Sequence, residues 1–200
     1  MSPALAPGFA DPVFDAQAVF RVVLSVLARP GLPAPLPGGL APPVPLTPGL
    51  AAIALSLADA DAAIWLDPSL AADPAVAAYL RFHTGAPIVS DPAEAAFALV
   101  ADPRGAPSFR DLALGIDTYP DRSTTLVLAV ETLTGGEPIR LTGPGIRDEV
   151  TVAASPLPDG FSDGLWANAA TFPRGIDVVL VSGSQVIGIP RSSRIVGERA

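Results

Sequence analysis

The single histidine, His83, stands in Arg81-Phe82-His83-Thr84-Gly85, at the end of a stretch whose apolar spacing predicts a helix. An imidazolium there would meet the negative end of the helix dipole, a structural role equally open to a hydrogen-bonded, partly buried imidazole. If the helix has frayed by Arg81, that guanidinium and His83 can instead grip a phosphate or move a proton. A zinc site is the third reading, and a multi-histidine one would need copies of His83 from other chains. A second constellation is Gly143-Pro144-Gly145, with Arg140 and Arg147 nearby. It holds half of a dinucleotide fingerprint but follows a hairpin-like strand and lacks the third glycine in register, so a turn is its ordinary meaning. Its backbone amides and the two guanidinium groups can still bind an anion. Arg191-Ser192-Ser193-Arg194, after Pro190, is a similar basic and hydroxyl cluster, or else a solvated tail. Arg81, His83, Arg140 and Arg147 are thus the candidate anion-binding or interface residues.

Absences exclude most other chemistry. All 12 basic residues are arginine, and cysteine is missing. Without lysine there is no Schiff base and no GxxxxGK[ST] phosphate loop. Without cysteine, thiol nucleophiles, iron–sulfur ligation and thiolate zinc sites go too. No Gly-x-Ser-x-Gly elbow presents a nucleophilic serine, and Gly183-Ser184 reads as a hairpin turn. Asp59-Ala60-Asp61 opens like a calcium loop, but Ala63 holds the next ligand position and no glycine follows, which makes it a helix terminus. No catalytic residue, metal ligand set or cofactor is expected. Acidic residues outnumber basic ones by 20 to 12, a net charge of −8, so neither nucleic acid nor an anionic membrane is an expected partner. No stretch nears the ~18 uninterrupted apolar residues of a membrane span, and residues 1–10 lack a signal-peptide pattern, so a cytoplasmic protein is expected.

The elements that must position these residues are short. Half of the 200 residues are hydrophobic, while 24 prolines and 18 glycines break the chain too often for a purely helical bundle. Asp11-Pro12 predicts a helix with Val19, Phe20, Val23, Leu24 and Leu27 on one face, stopped by Pro30-Gly31. Thr47-Pro48 and Asp73-Pro74 open two more, ending near Leu57 and Phe82, and Asp91-Pro92-Ala93-Glu94 predicts a short one through a capping box. A helical turn after Ser108 and a helix over 161–170 complete the set. Strands are expected at 63–66, 88–89, 97–100, 124–132, 139–142, 176–182 and 185–189. The last two form a hairpin, and Gly135-Gly136 turns 124–132 back onto 139–142. The apolar centre of 124–132 implies burial on both faces. Residues 30–48, with eight prolines, read as an extended surface crossover. The expected fold is α/β: one domain over 1–200, a mixed sheet with helices on both faces, and flexible ends at 1–10 and 195–200.

Several strings carry a resemblance. They are Asp15-Ala16-Gln17 with Phe20-Arg21, Arg29-Pro30-Gly31, Leu55-Ser56-Leu57-Ala58-Asp59 with Trp65-Leu66, and Leu80 to Ser90. They continue through Leu133-Thr134-Gly135-Gly136, Leu141-Thr142-Gly143-Pro144-Gly145-Ile146, Phe172-Pro173-Arg174-Gly175-Ile176-Asp177 and Ile189-Pro190-Arg191-Ser192. In one order from residue 15 to about 193, they resemble the PhnH family, the H subunit of the bacterial carbon–phosphorus lyase system of phosphonate metabolism. The resemblance implies a cytoplasmic protein that forms a homodimer and assembles with the G, I and J subunits. In that system the G, H and I subunits, with the L subunit, are associated with displacing adenine from ATP by a phosphonate, which gives a ribose 1-phosphonate 5-triphosphate. The J subunit then breaks the carbon–phosphorus bond. The resemblance also implies a fold like that of pyridoxal-phosphate-dependent transferases without the cofactor site, and the missing lysine agrees with that loss. It brings no catalytic residue to carry over. The leading expectation is a noncatalytic or accessory subunit of this transferase complex. The alternatives are a subunit contributing an anion-binding site at a shared interface and, last, an independent small hydrolase.

Overall fold

The computed structural model describes residues 5–197. Proline after a small polar residue starts most helical segments. Asp11 accepts hydrogen bonds from the amides of Val13 and Phe14 and opens α1 (Pro12–Ala28). Thr47 opens α2 (Pro48–Leu57), Asp67 opens α3 (Pro68–Ala71), and Asp73 opens α4 (Pro74–Thr84), which Gly85 ends in the left-handed conformation. In each, a side-chain oxygen satisfies an orphan amide while proline takes a position that needs no donor. At Asp91 the same signal yields only the 3-10 turn Pro92–Glu94, because Ala96 and Phe97 are already bonded to Ala63 as the next strand begins. The last helix, α5 (Phe161–Ala169), follows Gly160.

The strands in chain order are β1 (Ala34–Pro35), β2 (Ile64–Leu66), β3 (Ile88–Val89), β4 (Phe97–Val100), β5 (Leu114–Ile116), β6 (Tyr119–Ser123), β7 (Thr125–Ala129), β8 (Ile139–Thr142), β9 (Val150–Val152), β10 (Asp177–Ser182), β11 (Gln185–Ile189) and β12 (Arg194–Ile195). The main sheet runs β1-β11-β10-β7-β4-β2-β3. From β10 to β3 all neighbours are parallel, and β11 and β1 add an antiparallel edge. The fold is therefore mixed α/β around a mostly parallel sheet. Val127, Val179 and Val181 on one face pack under α1, α2 and α4. Leu126, Leu128, Val178 and Leu180 on the other pack under α5 and a small sheet of order β12-β8-β9. Helices thus dominate one face, while the second is shared between one helix and three strands.

Three expectations change. Gly135-Gly136 does not fold β8 back onto β7, because both edges of β7 are taken by β4 and β10. The chain leaves the sheet instead, and a Cβ on Gly136 would sit 2.3 Å from the Ala154 carbonyl oxygen. On α1 the buried face is Val19, Val23 and Val26, leaving Phe20 and Leu24 46% and 57% exposed. The helix backbone presses directly on β11, where a Cβ on Gly188 would meet the Val26 carbonyl at 2.7 Å, and Val22 and Leu27 also pack on the core, so the covered face is turned toward Val22 and Val26 and away from Phe20 and Leu24. The 30–48 crossover is not purely superficial: it supplies β1 and buries Leu36, Leu40 and Leu46 between its prolines. Of the expected flexible ends, residues 1–4 and 198–200 lie outside the described residues; Ala6 and Phe9 pack on the first core, and Ile195 belongs to β12. Among the described residues no helix is long and apolar enough to cross a membrane.

Candidate functional site

Arg81 and His83 share the last turn of α4, and the two side chains differ in circumstance. His83 Nε2 lies 3.0 Å from the Ala6 carbonyl oxygen, and the ring packs edge-on against Tyr79 and Phe82. Gly8 rests on the imidazole so closely that a Cβ there would fall 2.7 Å from Nδ1. The Tyr79 hydroxyl donates to the Pro7 carbonyl, and burial pushes its phenol above the ordinary range. His83 is thus occupied in clasping the segment that precedes α1, while Arg81 is exposed. His83→Ala should leave the fold standing, cost about 1 kcal/mol for the lost bond, and speed limited proteolysis before α1. Unchanged cleavage at residues 6–10 would show that the imidazole does not hold that segment.

Arg140 lies on β8 and pairs with Glu149 at 3.3 Å; Arg147 is exposed beyond the Gly143-Pro144-Gly145 turn. Both sit with the small sheet on the second face, so the structure does not bring them to Arg81 and His83 across the main sheet. It does unite two clusters that the sequence kept apart. Antiparallel pairing places Arg194 opposite Thr142 and Ile195 opposite Leu141. The Gly143 turn and the Arg191–Arg194 segment then enclose a pocket of about 300 Å³, with Phe172 on its wall. Arg191 is already committed. Its guanidinium grips both carboxylate oxygens of Asp177 and donates to the Pro120 carbonyl, and its amide donates to Asp177 Oδ1 at 2.8 Å. Arg194 has no carboxylate partner among the described residues.

A larger cleft, about 740 Å³, opens at the carboxyl ends of β4 and β7, where open parallel sheets commonly receive ligands. Asp102, Glu131 and Asp159 line it, with Arg104 the one cation among the described residues. Hydrogen bonds from the Arg104 guanidinium and amide to Asp102 hold that carboxyl below its ordinary pKa. With three carboxylates against one guanidinium, the cleft repels anions. Sequence reading missed it because four separate segments build it. The signal available was position: Ala101-Asp102 and Val130-Glu131 directly follow two buried strands.

Residues 7–196 match the family model described as bacterial phosphonate metabolism protein (PhnH). The chain belongs to the PhnH family. Over 188 residues, 94% of this chain and 93% of the relative, it is 46% identical to the alpha-D-ribose 1-methylphosphonate 5-triphosphate synthase subunit PhnH of Rhizobium meliloti (strain 1021). Over 86 residues, 41% of this chain and 42% of the relative, it is 37% identical to the "Putative C-P lyase subunit protein HtxG" of Stutzerimonas stutzeri. Blocks that carried the resemblance to PhnH converge on the smaller pocket: Thr142-Gly143-Pro144, Phe172, and Arg191-Ser192. Their neighbours are structural. Asn168, buried in α5, takes both backbone groups of Ile176, its Nδ2 donating to the carbonyl at 2.9 Å and its Oδ1 accepting from the amide at 2.8 Å.

Proposed function

We propose that this chain is an accessory, noncatalytic subunit of a multi-subunit enzyme that transfers a phosphonate to the ribose of ATP. The transfer releases adenine and forms a ribose 1-phosphonate 5-triphosphate. The observation that carries this reading is the 46% identity, across 94% of the chain, to a subunit of a ribose 1-methylphosphonate 5-triphosphate synthase. The side-chain inventory supports it: lysine and cysteine are missing, and the one imidazole is turned to Ala6. The same inventory supports kinship with pyridoxal-phosphate-dependent transferases that have lost the cofactor site. The partners are a second copy, giving a homodimer, and the G, I and J subunits of the carbon–phosphorus lyase system, in the cytoplasm. Val13, Phe20 and Leu24, exposed along one flank of α1, support a place within an assembly.

Co-expression with the neighbouring phosphonate-operon subunits, followed by affinity purification and intact mass, tests this. The expected result is a stoichiometric assembly whose phosphonate-dependent adenine release is lost when this chain is left out. A chain that stays apart as a homodimer, or that alone turns over ATP with a phosphonate, overturns it.

A second reading gives this subunit part of an anion site at a shared interface. Arg81 and Arg147 favour it, since both are exposed and neither has a carboxylate partner among the described residues. His83 and Arg140 can join only by releasing Ala6 and Glu149.

A further inference from the structure

We propose that the pocket between the Gly143 turn and β12 binds a small tetrahedral oxyanion with a short apolar substituent, a phosphonate or phosphate monoester, through Arg194. The ligand class deepens the subunit reading above and rests on it; the binding itself stands on the geometry.

Charge bookkeeping singles the pocket out. The chain is net −8, and its larger cleft is acidic, so an anion needs a local exception. Here two arginines line one concavity. Asp177 neutralises Arg191, which becomes a fixed wall, and leaves Arg194 as the pocket's cation without a carboxylate partner among the described residues. Pairing of β12 with β8 anchors the Arg194 backbone on a sheet rather than a loose tail, which reduces the ordering needed on binding. Ser192 lines the same space, as does Thr142, whose hydroxyl donates to the Asp148 carbonyl at 3.3 Å. Phe172, 56% exposed, and Ala169 supply an apolar wall for a substituent.

Size and backbone shape agree. At about 300 Å³ the pocket sits at the small end of ligand sites, suited to a phosphonate rather than to a whole nucleoside triphosphate. Gly143 has φ +143°, and a Cβ on it would meet the Ser192 carbonyl oxygen at 2.9 Å. Only glycine lets the turn close against the Arg191–Arg194 segment in this way.

The test is amide NMR of the full chain titrated with methylphosphonate and, separately, with inorganic phosphate. Saturable shifts are expected at Gly143, Ser192 and Arg194, with methylphosphonate the tighter ligand. R194A, at an exposed position, should keep the thermal transition and weaken binding by about tenfold or more, as loss of a charge-assisted bond requires. R194K should fall between, because it keeps the charge and loses the fork. R104A, in the acidic cleft, should bind like the parent. Non-saturable shifts, undiminished binding by R194A, or equal weakening by R104A would overturn the site, and tighter binding of inorganic phosphate would overturn the apolar-substituent half of it. A chain that supports adenine release in the complex but shows no such shifts removes the pocket and leaves the subunit reading. Arg194-dependent binding by a chain that never joins the complex does the reverse.

Discussion

Asp67→Ala is expected to lower the unfolding free energy by about 4 kcal/mol, because it strips a fully buried acceptor from four donor groups, of which the Leu70 amide is itself buried. Asp67 is fully buried at the end of β2. Its Oδ1 accepts from the Leu70 amide at 2.8 Å and the Ser69 hydroxyl at 2.9 Å, which starts α3. Its Oδ2 accepts from the Asp102 amide at 2.8 Å and the Ala101 amide at 3.1 Å, just past the end of β4. One carboxylate therefore caps a helix and ties two parallel strands together at the rim of the acidic cleft. Asp67→Asn keeps the shape and one acceptor but turns an NH₂ toward donors, and should cost about 3 kcal/mol. Asp73→Ala removes an exposed cap of the same type at α4 and should cost about 1 kcal/mol. Urea unfolding with an unchanged m-value measures all three. If Asp67→Ala costs no more than Asp73→Ala, the bonds to Ala101 and Asp102 contribute nothing to holding the strands.

The two roles of Asp67 also mark where the sequence stops being legible. Asp-Pro and Thr-Pro announced α1, α2 and α4, since capping is local chemistry. Asp67-Pro68 carries the same local signal for the four-residue α3 but reads as the end of a strand, and its second role, joining residues 35 apart, leaves no local signal at all. Apolar runs disclosed β4, β7 and β10, but not that β7 is central, and so not that β8 must pair elsewhere. On α1 the spacing of Val19, Phe20, Val23, Leu24 and Leu27 satisfies a helical period. It cannot say toward which side the covered face is turned, and the core takes Val22 and Val26 rather than Phe20 and Leu24. The β5–β6 hairpin went unseen because Tyr119–Ser123 is mostly exposed and polar, with no alternation to betray it. For the site, the basic clusters were legible one at a time. Arg81 with His83 and Arg140 with Arg147 lie on different faces of the sheet, while Arg194 and the Gly143 turn, far apart in sequence, became neighbours through β8 and β12.

Gly145→Ala should cost about 3 kcal/mol or more, against about 1 kcal/mol for Gly135→Ala, although the two backbones are alike, because packing adds to conformational strain at only one of them. Both glycines have φ +83°. A Cβ on Gly135 meets nothing within 4 Å, so alanine there reports the left-handed conformation alone. A Cβ on Gly145 would fall 2.2 Å from the Ala28 carbonyl oxygen and 2.9 Å from Pro30 Cδ, so the turn must lift off the end of α1. Thermal unfolding of the two variants separates the contributions, and equal losses would mean that the turn yields without resistance. Gly145 shares its turn with Gly143, whose own closeness to Ser192 shapes the oxyanion pocket. Gly145→Ala should therefore weaken methylphosphonate binding even where the chain remains folded, and Gly135→Ala should not. The glycine-proline-glycine string thus owes its second glycine to a helix end and its first to the Ser192 backbone. An anion site built on the backbone amides of this turn asks both glycines to contact the anion, whereas here they hold the turn where Arg194 can.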